Sequence, residues 1–377
     1  MRAEGCGYAD QEKNLKANQE TLYQIGSCSK AFTAAAAALL VDQGKLEWDR
    51  PVHEYLPWLE FKDPYTTAHA TVRDLLCHRT GLPRHDAYWI NGPCSRREMV
   101  ENLRNMEPVW SFRSHWCYQN TCYVAVGMLI EALSGMSWEE FIQKNLLEPL
   151  GMHRTTFYVD AIRKDENHAE PYSRVLPTDL KGYHKISFLK SDREDMAQGI
   201  GAPYGPAGSI MSTVSDMCKW LLFNLQGGKV GDRQLISEEN MREIHKPNML
   251  MSEPLLVPFP EQDFYSYGMG WFLETYRGHM MVEHGGNIDG FSALVTMIPD
   301  QKLGVVCLTN FNNSFNTYAT TYEIVDAYLG ESNGEWHQRW RKIIGDIFAQ
   351  NPENMKRMNG DPVPNTTPSH PLADYVG

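Results

Sequence analysis

The pattern of hydrophobic and polar positions changes from helix-like to strand-like near residue 266 of the chain. Before that point, continuous apolar runs that stop at Gly44 and Gly135 predict buried helices over residues 27–44 and 123–133. Capping residues and apolar spacing predict shorter or later helices at residues 71–77, 99–106, 137–150, 209–222 and 318–349. Helices are therefore expected to make up most of the regular structure.

Short apolar runs separated by Gly or Pro-Asp turns follow residue 266, and they favour an antiparallel sheet. These runs lie at residues 266–275, 279–284, 291–298 and 303–309. Residues 1–25 contain fragmentary extended segments, and the polar stretch 158–206 is typical of a loop that faces substrate. The whole pattern predicts an α+β fold, in which an N-terminal piece and the C-terminal antiparallel sheet enclose a helical middle.

Composition and charge argue against several classes of partner. The chain has 377 residues and a net charge of -12 without a block of Lys or Arg, so nucleic-acid binding is not expected. Its longest apolar run, residues 31–41, is too short to span a bilayer. Met1–Gly5 carry no apolar segment, which makes the cytoplasm the default expectation for location. Nothing in the sequence indicates an oligomeric state.

The eight cysteines are scattered and form no C-x-x-C pair. In a chain of this length they are expected to be reduced, mostly buried thiols, with a disulfide between Cys117 and Cys122 as the alternative. No motif in the sequence calls for a metal or an organic cofactor.

Ser27-Cys28-Ser29-Lys30 places a hydroxyl and an amine three residues apart where the first helix begins. Residues i and i+3 share one face of a helix, so Lys30 can lie beside the Ser27 hydroxyl. A serine becomes a good nucleophile when an adjacent base takes its proton, and a lysine in a dry site can be neutral enough to be that base. The alternative is that Ser27 only caps a core helix. A second S-x-x-K copy at residues 187–190 has no apolar helix behind it and is interpreted as a coincidence in a loop.

Tyr118 and Asn120 are polar residues that immediately precede the apolar helix at Tyr123. Loop residues that abut a core helix are candidates for a cleft. A phenol near an ammonium can relay protons, and its anionic form is favoured by that neighbour. The alternative for Tyr118 is a tyrosine that merely covers a helix end.

His284, Gly285, Gly286 and Asn287 end a strand-like run. Adjacent glycines allow a ligand backbone to approach a strand edge closely, and such an edge can offer an N–H group to an oxyanion. The alternative is a glycine turn between strands with a solvated histidine.

The order of these three elements resembles the serine β-lactamase and penicillin-binding superfamily, most closely its class C-like branch, which includes esterases, D-aminopeptidases and acyltransferases. The family motifs S-x-x-K, Y-x-N and H-x-G are matched in order by Ser27 and Lys30, by Tyr118 and Asn120, and by His284 and Gly286. The resemblance covers roughly residues 5–330. It implies one hydrolase domain over residues 1–350, with an all-helical subdomain inserted at roughly residues 60–205.

The resemblance also implies an acyl-enzyme mechanism on an ester or amide. Ser27 would attack a carbonyl, while Lys30 and Tyr118 would share its proton and pass it to the leaving group. The N–H groups of Ser27 and Asn287 would form the oxyanion hole. The implied catalytic residues are Ser27, Lys30, Tyr118 and His284, and the implied substrate-binding residues are Asn120, Gly285, Gly286 and Asn287.

Two departures from the family pattern carry expectations of their own. His284 stands where penicillin binders have a lysine, and a mostly neutral imidazole recognises a substrate carboxylate less well than a cation does. We therefore expect a small or peptide-like ester or uncharged amide as substrate. The helix and strands that usually precede Gly5–Asp10 are not present, and residues 351–377 resemble a linker and the entry to a further β domain. Both ends are expected to be truncated.

The same residues leave related activities open. A β-lactamase, a D-aminopeptidase or an acyltransferase would share the first half-reaction. A catalytically silent sensor or scaffold of the same fold is the alternative outside enzymes, but it would not need Ser27, Lys30 and Tyr118.

Overall fold

The computed structural model describes residues 1–86, 94–174, 183–186, 201–252, 254, 258–331 and 335–349. The strands are Tyr8–Asp10 (β1), Leu15–Lys16 (β2), Tyr23–Gln24 (β3), Tyr172–Arg174 (β4), Tyr183–Lys185 (β5), Met211–Ser212 (β6), Lys229–Val230 (β7), Arg233–Gln234 (β8), Met249–Met251 (β9), Gln262–Tyr267 (β10), Phe272–Tyr276 (β11), His279–Ile288 (β12), Phe291–Ile298 (β13) and Leu303–Thr309 (β14).

The α-helices are Ser29–Asp42, Val52–Tyr55, Pro64–His69, Val72–Leu76, Arg96–Glu101, Asn120–Ser134, Trp138–Ile142, Glu148–Leu150, Val159–Lys164, Gly205–Gly208, Val214–Leu225, Glu238–Ile244, Asn316–Leu329 and Trp336–Ala349. Short 3-10 segments lie at Gly26–Cys28, Asn102–Asn105 and Pro299–Gln301, and a π-helical turn lies at Gln143–Leu147. Helices and antiparallel strands together make the α+β fold that the sequence predicts.

A six-stranded antiparallel sheet organises the C-terminal part, in the order β14-β13-β12-β11-β10-β9. Each strand pairs with its neighbour in sequence, so the sheet is a simple meander. β12 pairs with β13 from Val282–Met297 to Ile288–Phe291. All six strands come from residues 249–309, whereas β1 pairs with β2 and β3 pairs with β6 outside this sheet.

Helices cover both faces of the sheet, which explains why every residue of β13 is buried. Successive side chains of a strand point to opposite faces. Leu294 and Ile298 belong to an apolar cluster with Tyr322 and Trp336 of the two C-terminal helices. The alternate residues of β13 face the main core, which also contains the first helix: Ala293, Val295 and Met297.

The Ser29–Asp42 helix runs through the main core, and its alanines are almost completely buried. Alanine has the highest helix propensity, and its small side chain lets neighbouring elements approach the helix axis closely. Phe32 supplies bulk and stacks on Trp220, with 3.9 Å between the ring centroids. A helix enclosed in this way holds the residues at its N-terminal end in fixed positions.

Two predicted elements were wrong in their bounds. The helix predicted at residues 209–222 begins only at Val214, because Met211–Ser212 pairs as β6 with β3. The run predicted as one strand over residues 266–275 is two strands, β10 and β11. Gly270 has a φ of +81°, and it turns the chain between them.

Other predictions need smaller changes. The helix predicted at 123–133 extends over Asn120–Ser134 and ends at Gly135, whose φ is +73°. The helix predicted at 318–349 is two helices, Asn316–Leu329 and Trp336–Ala349. None of the eight cysteines, all of which lie among the described residues, is in a disulfide, so Cys117 and Cys122 are not joined. Only three of them are buried, Cys28, Cys77 and Cys122, which is fewer than expected. The second S-x-x-K copy at 187–190 and the predicted linker at 351–377 lie outside the described residues.

Among the described helices, none is by itself long and apolar enough to cross a membrane. Asn120–Ser134 and Trp138–Leu150 meet that test of length and composition only as a pair bent by 74°.

Two carboxyl groups, Glu274 and Glu283, are buried on the face of the sheet opposite the first helix, with 8% and 7% of their surface exposed. Gln262 Nε2 donates to Glu274 (2.6 Å), and Thr296 Oγ1 donates to Glu283 (3.0 Å). Burial raises the pKa of Glu283, and burial together with the charge of Glu283 raises the pKa of Glu274. This pair is therefore expected to oppose folding when both carboxyls ionise.

We predict that Glu283→Gln stabilises the protein at alkaline pH and not at acid pH. A carboxyl whose folded pKa is raised stabilises the fold below its unfolded pKa, and that contribution is lost as pH rises through the folded pKa. The gain in unfolding free energy over wild type, measured by denaturant titration from pH 4 to pH 8, should therefore grow with pH. The exposed Glu239→Gln is the control. A gain that does not change with pH would contradict this account.

Candidate active site

Ser27 lies in the 3-10 turn Gly26–Cys28 that leads into the first helix. Neither this turn nor the Ser29–Asp42 helix has a side-chain hydrogen bond at its N-cap. The Ser27 hydroxyl is therefore not a helix cap. Ser29 has the structural role instead, because its hydroxyl donates to the Gly26 carbonyl at 2.7 Å. Ser27 is partly exposed and faces a cleft.

The Lys30 amine is fully buried and has three polar neighbours. Nζ lies 3.2 Å from Ser27 Oγ, 2.6 Å from Asn120 Oδ1 and 2.7 Å from the Ala207 carbonyl oxygen. The amide oxygen and the carbonyl can only accept hydrogen bonds. A neutral amine would thus donate its two hydrogens to them, which leaves its lone pair directed at the Ser27 hydroxyl.

Burial lowers the pKa of Lys30 well below its usual value, and the charge of Arg84 lowers it further. The charge of Asp86 acts in the opposite direction. Because burial is the largest cause, the neutral amine is favoured, as a general base requires.

The Tyr118 ring lies against the amine, with 4.7 Å between Lys30 Nζ and the ring centroid. Burial raises the pKa of Tyr118, and a side-chain hydrogen bond with Ser27 opposes that rise. Burial therefore favours the neutral phenol, in contrast to the expected phenolate. A neutral phenol beside Ser27 can donate a proton, as a relay to a leaving group must.

His284 is buried on β12, and both of its ring nitrogens have partners other than Ser27. Tyr267 lies 2.8 Å from Nε2 through its hydroxyl, and Nδ1 lies 2.6 Å from the Gly285 carbonyl. Burial lowers the pKa of His284 to about 3, so the imidazole is neutral. Its ring centroid is 6.4 Å from that of Tyr118. The imidazole is thus held by Tyr267 and by its own strand near the Tyr118 ring, and its hydrogen bonds are not made to Ser27.

The strand β12 continues through both glycines to Ile288, so the glycines do not form a turn. A Cβ atom on Gly286 would lie 1.9 Å from the Ile25 carbonyl oxygen and 3.1 Å from Ser27 N. A Cβ atom on Gly285 would lie 2.6 Å from the Tyr318 hydroxyl, on the other face of the strand. Gly286 therefore lets the strand pack directly on the Ser27 turn, and Gly285 faces away from the site.

The cleft beside Ser27 has a volume of about 120 Å³. It is lined by Gly26, Ser27, Arg84, Asp86, Asn120, Tyr204, Ala207, Gly208, Asn287, Ile288 and Asp289. The structure thus brings Ser27, Asn120 and Asn287 to one cleft. Among the described residues, no three His, Cys, Asp or Glu side chains are grouped so that they could hold a metal ion.

Several residues of the site were not found by the sequence analysis. Arg84 and Asp86 line the cleft, and His78 is buried with its ring centroid 4.3 Å from that of Tyr118. The Gln119 N–H group donates to His78 Nδ1 at 3.1 Å, which ties His78 to the Tyr118 segment. In the sequence these are ordinary polar residues near a Gly-Leu-Pro turn, and no spacing connects them with Tyr118.

The fold and the cleft define a protein of the penicillin-binding-protein type. A solved octameric penicillin-binding protein homologue from Pyrococcus abyssi superposes with a TM-score of 0.73 at 28% identity, over 89% of this chain and 72% of that one. The D-amino acid amidase from Ochrobactrum anthropi has the same fold, with a TM-score of 0.64 at 22% identity over 89% of both chains.

The sequence comparisons give the family. The family model described as Beta-lactamase matches residues 2–328, and the chain belongs to this family. Among curated relatives, the unguisins hydrolase ungD of Aspergillus violaceofuscus is 29% identical over 99% of this chain and 68% of its own length. The relatives with named activities are thus hydrolases on this fold.

We predict that Gly286→Ala lowers the unfolding free energy by roughly 1–3 kcal/mol, because its methyl group would overlap the Ile25 carbonyl. Denaturant titration measures this change. Gly345→Ala is the matched control: it lies in the Trp336–Ala349 helix, and its added Cβ would have no neighbour within 4 Å. Alanine is favoured over glycine in a helix, so this control should be neutral or stabilising. Equal stability of Gly286→Ala and wild type would show that the strand does not pack on the Ser27 turn as described.

Proposed function

We propose that this protein is a serine hydrolase that cleaves an ester or amide through an acyl-enzyme on Ser27. The observation that carries the proposal is the buried Lys30 amine, 3.2 Å from Ser27 Oγ, whose other two partners can only accept hydrogen bonds. A scaffold protein would have no need for a buried amine whose lone pair meets a partly exposed hydroxyl.

In the first half-reaction, Ser27 Oγ attacks the substrate carbonyl carbon as Lys30 Nζ takes its proton. The negative charge then develops on the carbonyl oxygen. The N–H groups of Ser27 and Asn287 belong to two segments in close contact, since a Cβ on Gly26 would lie 3.0 Å from Asn287 N. These two N–H groups are the proposed oxyanion hole.

Collapse of the tetrahedral intermediate breaks the bond to the leaving group, which receives a proton. Tyr118 donates this proton, and Lys30 reprotonates Tyr118, so both return to their starting states. In the second half-reaction, a water molecule attacks the acyl carbonyl while Lys30 accepts its proton. The bond from the acyl carbon to Ser27 Oγ then breaks, Lys30 returns its proton to that oxygen, and the acid product departs.

The charges of the cleft support an ester or an uncharged amide as the substrate. Among the described residues, its charged lining side chains are those of one arginine and two aspartates: Arg84, Asp86 and Asp289. His284 is neutral and buried, so it adds no cation. A substrate carboxylate would therefore meet a cleft of net negative charge. The 29% identity to the unguisins hydrolase is consistent with hydrolytic activity in this branch of the family.

We predict that a fluorophosphonate probe labels Ser27, as mass spectrometry of the labelled peptides would show. Ser27→Ala should abolish labelling, and Lys30→Ala should slow it by at least about 100-fold, because the general base is lost. The second S-x-x-K copy supplies matched controls, Ser187→Ala and Lys190→Ala, which should label normally. Label on Ser187, or no label in a folded sample, would contradict the proposed function.

We also predict that kcat/KM for neutral p-nitrophenyl esters exceeds that for an anionic chromogenic cephalosporin by about tenfold or more, a difference of about 1.4 kcal/mol. The cause is the negative charge of the cleft and the neutral His284. Steady-state hydrolysis of both substrates measures the ratio. A preference for the cephalosporin would overturn this account of specificity while leaving the acyl-enzyme intact.

A further inference from the structure

An ion pair at the rim of the cleft contacts the catalytic side chain of Tyr118 and the proposed substrate-binding side chain of Asn120. Arg84 Nε donates to the carboxylate of Asp86. The Arg84 side chain is 61% exposed, whereas that of Asp86 is 20% exposed. The Arg84 guanidinium also lies over the Tyr118 ring, with 5.0 Å from its central carbon to the ring centroid.

Asp86 reaches inward from the rim to Asn120. The Asn120 Nδ2 group donates to Asp86 Oδ1 at 2.8 Å, and Asn120 Oδ1 accepts from Lys30 at 2.6 Å. A carboxylate can only accept hydrogen bonds, so it holds the NH2 end of the amide towards itself. The amide oxygen must then face Lys30. A reversed amide would place an N–H donor against the Lys30 amine.

The Tyr118 ring thus lies near two basic side chains, Lys30 Nζ at 4.7 Å and the Arg84 guanidinium at 5.0 Å from its centroid. The third motif, which carries a cation in penicillin binders, here carries a neutral imidazole at His284. Arg84 brings a positive charge to the same ring from a different segment of the chain.

We infer that the Arg84–Asp86 pair is a positioning and charge-tuning element of the catalytic group: Asp86 fixes the amide of Asn120 against Lys30, and Arg84 places a positive charge over the Tyr118 ring. Both are positioning residues, because they act through Asn120, Tyr118 and Lys30. This inference rests on the proposed acyl-enzyme function.

Among the residues that the structure describes, the other titratable groups buried around Lys30 are held neutral by burial. Burial lowers the pKa of both nearby histidines and raises the pKa of the nearby thiol and phenols; these groups are His78, His284, Cys28, Tyr118 and Tyr123. Asp289 is exposed in the same cleft. Arg84 and Asp86 are therefore the ionised side chains that act most directly on the amine, with opposite signs.

Because Arg84 and Asp86 carry charges of opposite sign, removing each charge should shift the pKa of Lys30 in an opposite direction. The reaction of Ser27 needs the neutral Lys30 amine, so the acid limb of its pH–rate profile follows the pKa of Lys30. Removing the charge of Arg84 should raise that pKa and move the limb to higher pH. Removing the charge of Asp86 should lower it and move the limb to lower pH. If the substitutions only damaged the fold, both the Arg84 and the Asp86 variants would react more slowly, but the acid limbs of their pH–rate profiles would not move apart.

The test measures the rate of Ser27 labelling by a neutral fluorophosphonate from pH 5 to pH 10, in the full chain. Arg84→Met and Arg84→Gln should move the acid limb up by about half a pH unit or more, and Asp86→Asn should move it down by a similar amount. Arg84→Lys keeps the charge and should leave the limb near its wild-type position. Since Arg84 is exposed, added salt should reduce the Arg84→Met shift.

Arg97→Met is the matched control. Arg97 is also a partly exposed arginine, with its guanidinium 3.3 Å from the Trp58 ring centroid and its Nε 2.6 Å from Glu101, and it does not line the cleft. This control should leave the limb unchanged. The inference would be overturned if the acid limbs of the pH–rate profiles stayed in place. It would also be overturned if Arg84→Met and Asp86→Asn moved the acid limb in the same direction. Absence of Ser27 labelling in the wild type would instead overturn the proposed function itself.

Discussion

The removal of one ammonium group from water is the constraint on which the site depends. A lysine that is fully buried without a carboxylate in contact cannot easily keep its charge, and here the amine is satisfied by an amide oxygen and a main-chain carbonyl. Those acceptors come from two distant segments, at Asn120 and Ala207. The amine therefore joins the first helix to both, and the contacts that orient the neutral amine towards Ser27 also hold the three segments together.

Small residues make this convergence possible. The alanines of the first helix let its neighbours approach closely, and Gly286 lets β12 lie on the turn that carries Ser27. Larger side chains at these positions would separate the strand from the helix by the width of a methyl group or more. The hydroxyl and the N–H groups around it would then lose their alignment, since these distances are set by backbone contact.

The sequence predicted the parts of the site that depend on short spacing. Ser27 and Lys30 were expected on one face of a helix, and Tyr118 and Asn120 were expected just before the next apolar helix, which in the structure already begins at Asn120. The orientation of His284 could not be predicted, because it depends on Tyr267 of β10, which reaches the imidazole only once the sheet has formed. The role of Asp86 could not be predicted either, because its hydrogen bond with Asn120 joins residues 34 positions apart in the sequence. The bounds near Val214 failed for the same reason, because pairing of β6 with β3 overrides a helical pattern.

The tight packing of the first helix also limits how this fold could accommodate new ligands. The first helix is built on buried alanines, and a Cβ atom on Gly26 or Gly286 would meet neighbouring backbone atoms, so the floor of the cleft offers few positions for a larger side chain. The rim is different, because Arg84, Asn287 and Asp289 are exposed and belong to a loop and a hairpin. Sequence differences among proteins with this fold should therefore be concentrated at the entrance of the cleft, and the residues beneath the cleft should change less.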